Sequence, residues 1–246
     1  MRATGFKTIS ALATAGLLVL ALSACSLTPL APAPPPAGVS AVPAPQLRVG
    51  NYWEYEVRDG YTGLRRGMYR YTVSRADAGA VVLELTHDGQ LVDTQIFTPD
   101  LKGLEHPLRN LQRFRYSPPY PAYAFPLYAG EQWRVIVNST DPATGNTYRT
   151  HVHAAVTGWR RIKVPAGEFD AIEVRRQVYA GNAESFKLQE EISETDWYAP
   201  ALGFAVASAG ASSHIDTSRG GGRRGAEALR VRGDWLIAEL VRYSVQ

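Results

Sequence analysis

Apolar and polar residues alternate with a period of two through most of the chain from Leu47 to Gln246. From Trp53 to Arg58, Trp, Tyr and Val alternate with charged residues, and a similar pattern runs from Tyr69 to Ser74. Successive side chains of a β-strand point to opposite faces of a sheet, so this pattern is typical of strands with one buried face. Convincing helical periodicity is absent, apart from a short helical turn that residues 99–104 could form. The sequence therefore predicts an all-β domain.

The spacing of the alternating segments predicts how the strands are arranged. Turn residues such as Asp59-Gly60, Asp88-Gly89 and Gly145-Asn146 separate neighbouring segments. Closely spaced strands joined by short turns favour an antiparallel meander. We expect about ten to twelve strands in a strongly curved sheet or an open or half barrel, with its concave side filled. Beyond the two segments above, the candidate strands are 80–86, 91–97, 132–139, 147–159, 169–179, 184–198, 203–209 and 229–243.

A short motif occurs twice and suggests a two-part construction. Gly50 and Gly130 each stand three residues before a tryptophan, Trp53 or Trp133, that opens an alternating segment. We expect each glycine to form a turn and each tryptophan to seed the core.

The first 24 residues have the layout of a secretory signal peptide. Arg2 and Lys7 precede an apolar run from Ile9 to Leu22, and the small residues Ser23 and Ala24 follow. The run is about 14 to 16 residues long, whereas a transmembrane helix needs about 20. We therefore expect residues 1–24 to be a signal peptide and not a permanent anchor.

The tetrapeptide Leu22-Ser23-Ala24-Cys25 resembles the bacterial lipobox, and Cys25 is the only cysteine of the chain. The alternative is an ordinary cleaved signal with a chance cysteine. The resemblance implies a diacylglyceryl thioether on Cys25 and an amine acylated with a chain such as palmitate, and several such chains anchor a protein almost permanently. Ser26 in the next position implies transfer to the outer membrane under the sorting rule of enteric lipoproteins. The protein would then face the periplasm from the inner leaflet.

A segment rich in proline and alanine follows, from Thr28 to Gln46. It has no apolar periodicity that could bury surface, so residues 25–46 are predicted to be the lipidated cysteine and a flexible linker. A polyproline II chain of this length reaches up to roughly 60 Å. Residues 47–246 would form the folded periplasmic domain.

The net charge of the chain limits the classes of partner that we expect. The formal charge of +3 falls to +1 once Arg2 and Lys7 leave with the signal peptide. A nucleic-acid partner needs a concentrated basic face, which the sequence does not show, so we expect none. With Cys25 lipidated no thiol remains for a disulfide or a metal, and we expect no cofactor. The expected partners are the membrane, through the lipid, and an apolar ligand or another envelope protein.

Three stretches together resemble a group of uncharacterised exported bacterial β proteins that are compared with lipoprotein-carrier half-barrels. They are Pro118 to Trp133, with Phe125-Pro126-Leu127 and the second Gly-x-x-Trp motif, Val164 to Ala171, and Trp197 to Gly203. The resemblance covers roughly Gly50 to Ala209. It implies a fold and no catalytic residues, and an apolar molecule or the acyl chain of another lipoprotein as the ligand. Pro165 and Gly167 suit a tight β-turn, and Pro200 should end a strand.

The segment from Phe114 to Tyr128 alternates aromatic residues with prolines. Rings held by a rigid backbone could stack on a sugar or line an apolar pocket. The blander alternative is a connection packed over the open end of the sheet, with its rings completing the core. The candidate ligand-binding residues are Tyr116, Tyr120, Tyr123 and Phe125.

Two further patterns resemble parts of functional sites but favour simpler explanations. His151 and His153 emerge on one face of a strand, but a closed metal site needs further ligands, so we expect a solvated face and no metal. An acidic run lies before Trp197, and alternation puts three of its carboxylates on one face that we expect to be exposed. Its members are Glu190, Glu191, Glu194 and Asp196.

Two last motifs lie towards the C-terminus. The basic stretch from Arg219 to Gly225 could touch anionic lipid or an envelope polymer, but we interpret it as a loop between strands. Ser212-Ser213-His214 lacks the glycine-flanked elbow of a hydrolase nucleophile, so no catalytic residue is assigned.

The sequence thus favours an envelope lipoprotein whose β domain binds or scaffolds a component without catalysis. An envelope hydrolase acting on glycan or lipid, and a subunit of an envelope assembly complex, are the alternatives.

Overall fold

Thirteen antiparallel strands make up the computed structural model, which describes residues 32–108, 113–181, 189–216 and 229–246. None of these residues lies in a helix, and so none forms a helix that could span a membrane. The strands are β1 (Pro32–Ala33), β2 (Tyr52–Asp59), β3 (Arg65–Ala76), β4 (Val81–His87), β5 (Gln90–Phe97), β6 (Gly103–Pro107), β7 (Arg113–Tyr120), β8 (Gln132–Thr140), β9 (Thr147–Val164), β10 (Gly167–Gly181), β11 (Gln189–Ala199), β12 (Phe204–Asp216) and β13 (Leu229–Ser244). The prediction of an all-β antiparallel fold is confirmed.

The strands β2 to β13 form a closed barrel. Each of them pairs with its neighbour in the sequence, and β13 also pairs with β2, with Leu240 opposite Tyr55. The sheet therefore goes further than a half barrel, a point that the sequence left open. Closure gives the strands at both ends of the meander a hydrogen-bonding partner, so neither is left as an exposed edge.

Alternation along the strands fills the interior, as predicted. Trp53 of β2 is 0% exposed. Its indole Nε1 donates a hydrogen bond to the Leu202 carbonyl at 3.2 Å, and its ring stacks on Phe204 with centroids 4.5 Å apart. The surrounding core includes Tyr55, Val73, Leu83, Ile162, Val164, Val206 and Leu240. A second cluster contains Leu127, Trp159, Val174 and Tyr198, and a third contains Phe114, Tyr116, Val137, Val152, Val178 and Ile192.

The two Gly-x-x-Trp motifs form the same turn. Gly50 and Gly130 have the same left-handed φ of +88°, which favours glycine. In the first copy, the Gly50 amide donates to the Val73 carbonyl and the Val73 amide donates to the Asn51 carbonyl, at 2.9 Å each. In the second copy, the Gly130 amide donates to the Val156 carbonyl at 2.8 Å and the Val156 amide donates to the Glu131 carbonyl at 2.9 Å. The predicted turn is therefore confirmed in both copies.

The two tryptophans differ in burial. Trp53 is in the centre of the first core, as expected. Trp133 is only partly buried against the second cluster, and its Nε1 donates to the Pro121 carbonyl at 3.1 Å. The expectation that the tryptophan of the motif lies in the core is therefore fully confirmed only for Trp53.

Residues 32–47, here called the docked segment, lie against the barrel. Pro32 and Ala33 pair with Arg160 and Trp159 of β9. Val42 is 1% exposed and exchanges two backbone hydrogen bonds with Leu127, at 2.9 and 2.8 Å. The structure here differs from the prediction of a flexible linker reaching to Gln46. The reason is that a few apolar side chains, Val39, Val42 and Leu47, find an apolar surface on the second cluster.

The turns at these motifs form as the sequence predicts, with one exception. Gly167 pairs with Val164 in the predicted tight hairpin, and the Gly203 amide donates to the Pro200 carbonyl at 3.2 Å, where β11 has ended. The helical turn considered for residues 99–104 is absent. Instead the Thr98 amide donates to the Lys102 carbonyl at 2.8 Å, and Leu101 has a positive φ of 57°, which closes the connection between β5 and β6. Residues 1–24, Cys25 and the stretch 219–225 lie outside the described residues.

Candidate functional site

A cavity of about 380 Å³ lies inside the barrel. Its lining comes from β2 to β7 and from β10 to β13, on both sides of the closed sheet, together with the connection that follows β7. The volume is within the range of small-molecule sites, roughly 300–1,000 Å³. Seven of the 21 described residues that line it are Tyr or Phe, namely Tyr55, Tyr69, Tyr71, Phe97, Tyr120, Tyr123 and Phe204. This is the candidate functional site.

One part of the cavity wall, here called the polar wall, is charged. The Arg176 side chain on β10 is 5% exposed, and Glu194 and Asp196 on β11 are each 15% exposed. Arg176 Nε donates to Glu194 Oε2 at 2.9 Å and Nη2 donates to Asp196 Oδ2 at 2.7 Å. The Nη1 group donates to the Ala122 carbonyl at 3.1 Å. A buried guanidinium is tolerated when it is paired and hydrogen-bonded in this way.

The charge of Arg176 is secured by its partners. Burial by itself would lower the pKa of the guanidinium, but the attraction of Asp196 and Glu194 outweighs it and holds that pKa well above its ordinary value. The Tyr123 ring lies beneath the guanidinium, 5.6 Å from its carbon to the ring centroid. The Tyr123 hydroxyl donates to Asp196 Oδ2 at 2.8 Å. The polar wall is therefore one connected network.

Tyr120 lines the same cavity and is 2% exposed. Its hydroxyl is buried and has no hydrogen-bond partner among the described residues. Burial, and then the negative charge of Glu194, raise the pKa of Tyr120, so the phenol is neutral at ordinary pH. A buried hydroxyl without a partner is costly, and such a group calls for an explanation.

His106 on β6 completes this side of the cavity. Its ring stacks on Phe97 and packs against Tyr116, with centroid distances of 5.4 and 4.7 Å. Nδ1 lies 2.8 Å from the Pro107 carbonyl, which can only accept, so Nδ1 carries the proton. Burial lowers the pKa of His106, and the imidazole is therefore neutral at pH 7. Nε2 is buried, without a partner in the described part of the chain, and lies so close to Gly103 that a Cβ there would be 2.1 Å away.

The four aromatic residues singled out from the sequence divide between cavity and core. Tyr120, at the end of β7, and Tyr123, just after it, line the cavity. Tyr116 packs in the third core cluster. Phe125 packs on Tyr123 and Tyr198, with centroids 5.5 and 5.4 Å apart. Ligand binding by these residues stays a prediction.

The expectation of an exposed acidic face on β11 is wrong for two of its carboxylates. Glu194 and Asp196 point into the barrel because the register places Arg176 of β10 directly opposite Glu194. Sequence reasoning also missed Arg176. A signal was present, since Arg176 is in phase with Val174 and Val178, two buried residues of the same strand.

The other candidate residues that the structure describes lie on β9, β11 and β12. His151 and His153 lie on β9, and His153 packs edge-on against Tyr179 with centroids 5.6 Å apart. Within the four described stretches no group of three or more His, Cys, Asp or Glu residues could hold a metal. Ser213 on β12 accepts a hydrogen bond from Arg230 at 2.9 Å, and Arg230 also pairs with Glu191 at 2.6 Å.

Comparison with known proteins gives structural neighbours only. No family model matches the sequence, and no curated protein matches it either. A candidate lipoprotein from Parabacteroides distasonis is 15% identical with a TM-score of 0.44, covering 81% of this chain and 97% of that one. A candidate exported protein with a YmcC-like fold from Bacteroides fragilis is 12% identical with a TM-score of 0.45, covering 83% and 99%. The hypothetical lipoprotein YmcC from Escherichia coli is 11% identical with a TM-score of 0.37, covering 79% and 85%.

Proposed function

We propose that this chain is a lipid-anchored protein of the bacterial envelope whose barrel binds a small, largely apolar molecule without catalysing a reaction. The anchor would be the lipid on Cys25, and Ser26 favours the outer membrane with the barrel facing the periplasm. The signal-peptide layout and the lipobox-like tetrapeptide support this part of the proposal.

The cavity carries the binding part of the proposal. A cavity of about 380 Å³ inside a barrel is larger than close packing normally leaves, because protein interiors have few voids larger than a water molecule. Its mainly apolar and aromatic wall with one charged side is the common pattern of a small-molecule site. Both carboxylates of the polar wall accept hydrogen bonds from Arg176, an arrangement suited to recognition.

The binding proposal is tested by native mass spectrometry of the full chain, extracted from the envelope of a bacterium that expresses it into lipid nanodiscs. We expect an adduct of constant mass on the unaltered protein. Ala238→Phe, which fills the cavity from β13, should remove the adduct, and Val92→Phe, at an exposed position of β5, should keep it. No adduct on the unaltered chain, or an equal adduct on Ala238→Phe, would contradict the proposal.

The anchoring proposal has its own test. The mass of the recovered chain should equal that of residues 25–246 plus the acyl groups, and Cys25→Ser should abolish both cleavage and acylation. Recovery of an uncleaved, unacylated chain from the unaltered gene would contradict it.

A further inference from the structure

The direction of β1 shows at which end the chain joins the barrel. Pro32 lies opposite Arg160 and Ala33 opposite Trp159, so β1 runs away from Val164, the last residue of β9. The chain therefore joins the barrel from the end that holds the β9–β10 hairpin, here called the entry end. Alternate connections of an antiparallel meander lie at the same end. The entry end thus also contains the residues before β2, the connections after β3, β5, β7 and β11, and the residues after β13.

Apolar and aromatic side chains are exposed around the entry end. Val49, Tyr128 and Tyr243 are 58%, 47% and 38% exposed. Val49 precedes β2 and Tyr128 precedes β8, and these two strands are six apart in the barrel formed by β2 to β13, so the two residues lie on opposite sides of its rim. Each of the five connections at this end also exposes a proline or an alanine: Ala78, Pro99, Pro126, Pro165 and Pro200. The rim therefore offers apolar contacts all the way round.

The charges of the entry end are balanced. Three of its carboxylates form ion pairs, Asp77 with Arg75 at 3.3 Å, Asp100 with Lys102 at 2.7 Å and Asp170 with Arg161 at 2.8 Å. Two further cations, Arg48 and Lys163, offset Glu131 and Glu168. Lipid headgroups would therefore neither attract nor repel this end strongly through charge, and contact with them would depend on the apolar and aromatic side chains.

Building on the proposed lipid anchor, we infer that the entry end is a membrane-contact surface. The barrel stands on it with Val49, Tyr128 and Tyr243 among the headgroups of the bilayer that holds the Cys25 lipid. Only residues 26–31 separate Cys25 from Pro32, so the entry end is the one that the tether keeps near the bilayer. Tyrosine is favoured at membrane interfaces because its ring is apolar and its hydroxyl reaches water. The tether also raises the effective concentration of this surface at the bilayer, so a weak contact is enough.

The contact is tested by fluorescence quenching in phosphatidylcholine vesicles that include a lipid with a nitroxide on its headgroup. The acylated full chain carries a fluorophore on Ala78→Cys, in the connection after β3, or on Ala143→Cys, in the connection after β8 at the opposite end. Both alanines are exposed, and acylated Cys25 has no thiol to label. Because β3 and β9 are six strands apart, the tether alone does not hold Ala78 at the bilayer. We expect the fluorophore at position 78 to be quenched about threefold more strongly than that at position 143.

Substitutions at the rim test which side chains make the contact. Val49→Ser, Tyr128→Ser and Tyr243→Ser together should remove at least roughly half of the quenching at position 78, because interfacial binding scales with the apolar area buried. The matched control is Leu64→Ser, Leu91→Ser and Val92→Ser together. These residues of the opposite end are at least as exposed, and their substitution should leave the quenching unchanged. If the first triple variant does not fold, Tyr128→Ser alone should show a smaller loss of the same sign.

The outcomes separate this inference from the proposed anchor. Equal quenching at positions 78 and 143 of the acylated chain would overturn the inference and leave the anchor intact. Undiminished quenching at position 78 after the rim substitutions would overturn it as well. A chain that is recovered without acyl groups and does not associate with the vesicles would refute the anchor, and the inference with it.

Discussion

Replacing Arg176 by methionine should destabilise the barrel strongly. Methionine keeps much of the apolar volume of arginine but removes the cation that Glu194 and Asp196 share, as well as the hydrogen bond to the Ala122 carbonyl. Breaking a buried ion pair by removing one partner costs about 3–5 kcal/mol. For a domain of this size each kcal/mol lowers the melting temperature by about 2–4 °C, so a decrease of roughly 6–20 °C is expected.

The pH dependence of this loss identifies its cause. In the variant, the two carboxylates of the polar wall lose the cation of Arg176, so the folded state should hold protons more readily than the unfolded chain does. The variant should then gain stability relative to the unaltered protein as the pH falls through the range in which carboxylates take up protons, because there the folded state binds more protons than the unfolded state. The deficit should therefore be full at pH 7 and clearly smaller near pH 4.5. Thermal unfolding of the full chain in detergent micelles, followed by near-ultraviolet circular dichroism, measures it.

Two controls make the measurement decisive. Arg134→Met, at an exposed position of β8, should change the free energy of unfolding by no more than about 0.5 kcal/mol. The triple variant Arg176→Met, Glu194→Gln, Asp196→Asn should recover much of the lost stability, because it removes all three charges of the polar wall together. A deficit below about 1 kcal/mol for Arg176→Met, or one that is equal at both pH values, would refute the reasoning.

Three further predictions concern other parts of the barrel. Val42→Ala should cost about 1–3 kcal/mol and expose the docked segment to limited proteolysis, whereas Val49→Ala, at an exposed position, should do neither. Gly50→Ala and Gly130→Ala should each lower the free energy of unfolding by about 1–2 kcal/mol, measured by thermal unfolding. An added Cβ meets no atom within 4 Å at either position, so only the left-handed backbone conformation opposes the change. Clearly unequal costs would contradict the equivalence of the two turns. Burial lowers the folded pKa of His106, so the unfolded chain binds a proton first as the pH falls below about 6.5. The urea concentration at the midpoint of unfolding should therefore decline below that pH. His106→Phe should flatten this decline, and an unchanged slope in the variant would contradict the prediction.

The alternation of side chains was enough to predict ten of the strands and most of the core, but not β1, β6 or β7. β2 could be read directly, because Trp53, Tyr55 and Val57 alternate with charged residues and all three are buried. The closure of the barrel was not predictable in the same way. It depends on the pairing of β13 with β2, between residues such as Leu240 and Tyr55 that are far apart in the sequence.

The candidate site was only partly predictable for a related reason. Tyr120 and Tyr123 stood out by composition, but the acidic run was interpreted as a solvated face since its partner lies on another strand. Only the register of β10 on β11 brings Arg176 opposite Glu194. Val42 is a similar case, because one valine in a proline-rich stretch becomes informative only when Leu127 is placed beside it.

With a lipid on Cys25, the docked segment would limit how far the barrel can move from the bilayer. With the lipid on Cys25 as proposed, seven residue steps lead from the anchor to Pro32, where the chain joins β9. A fully extended chain of that length spans at most about 25 Å, well short of the reach of a free linker. The barrel would thus stand next to the headgroups, with the β9 strand that the docked segment joins on their side.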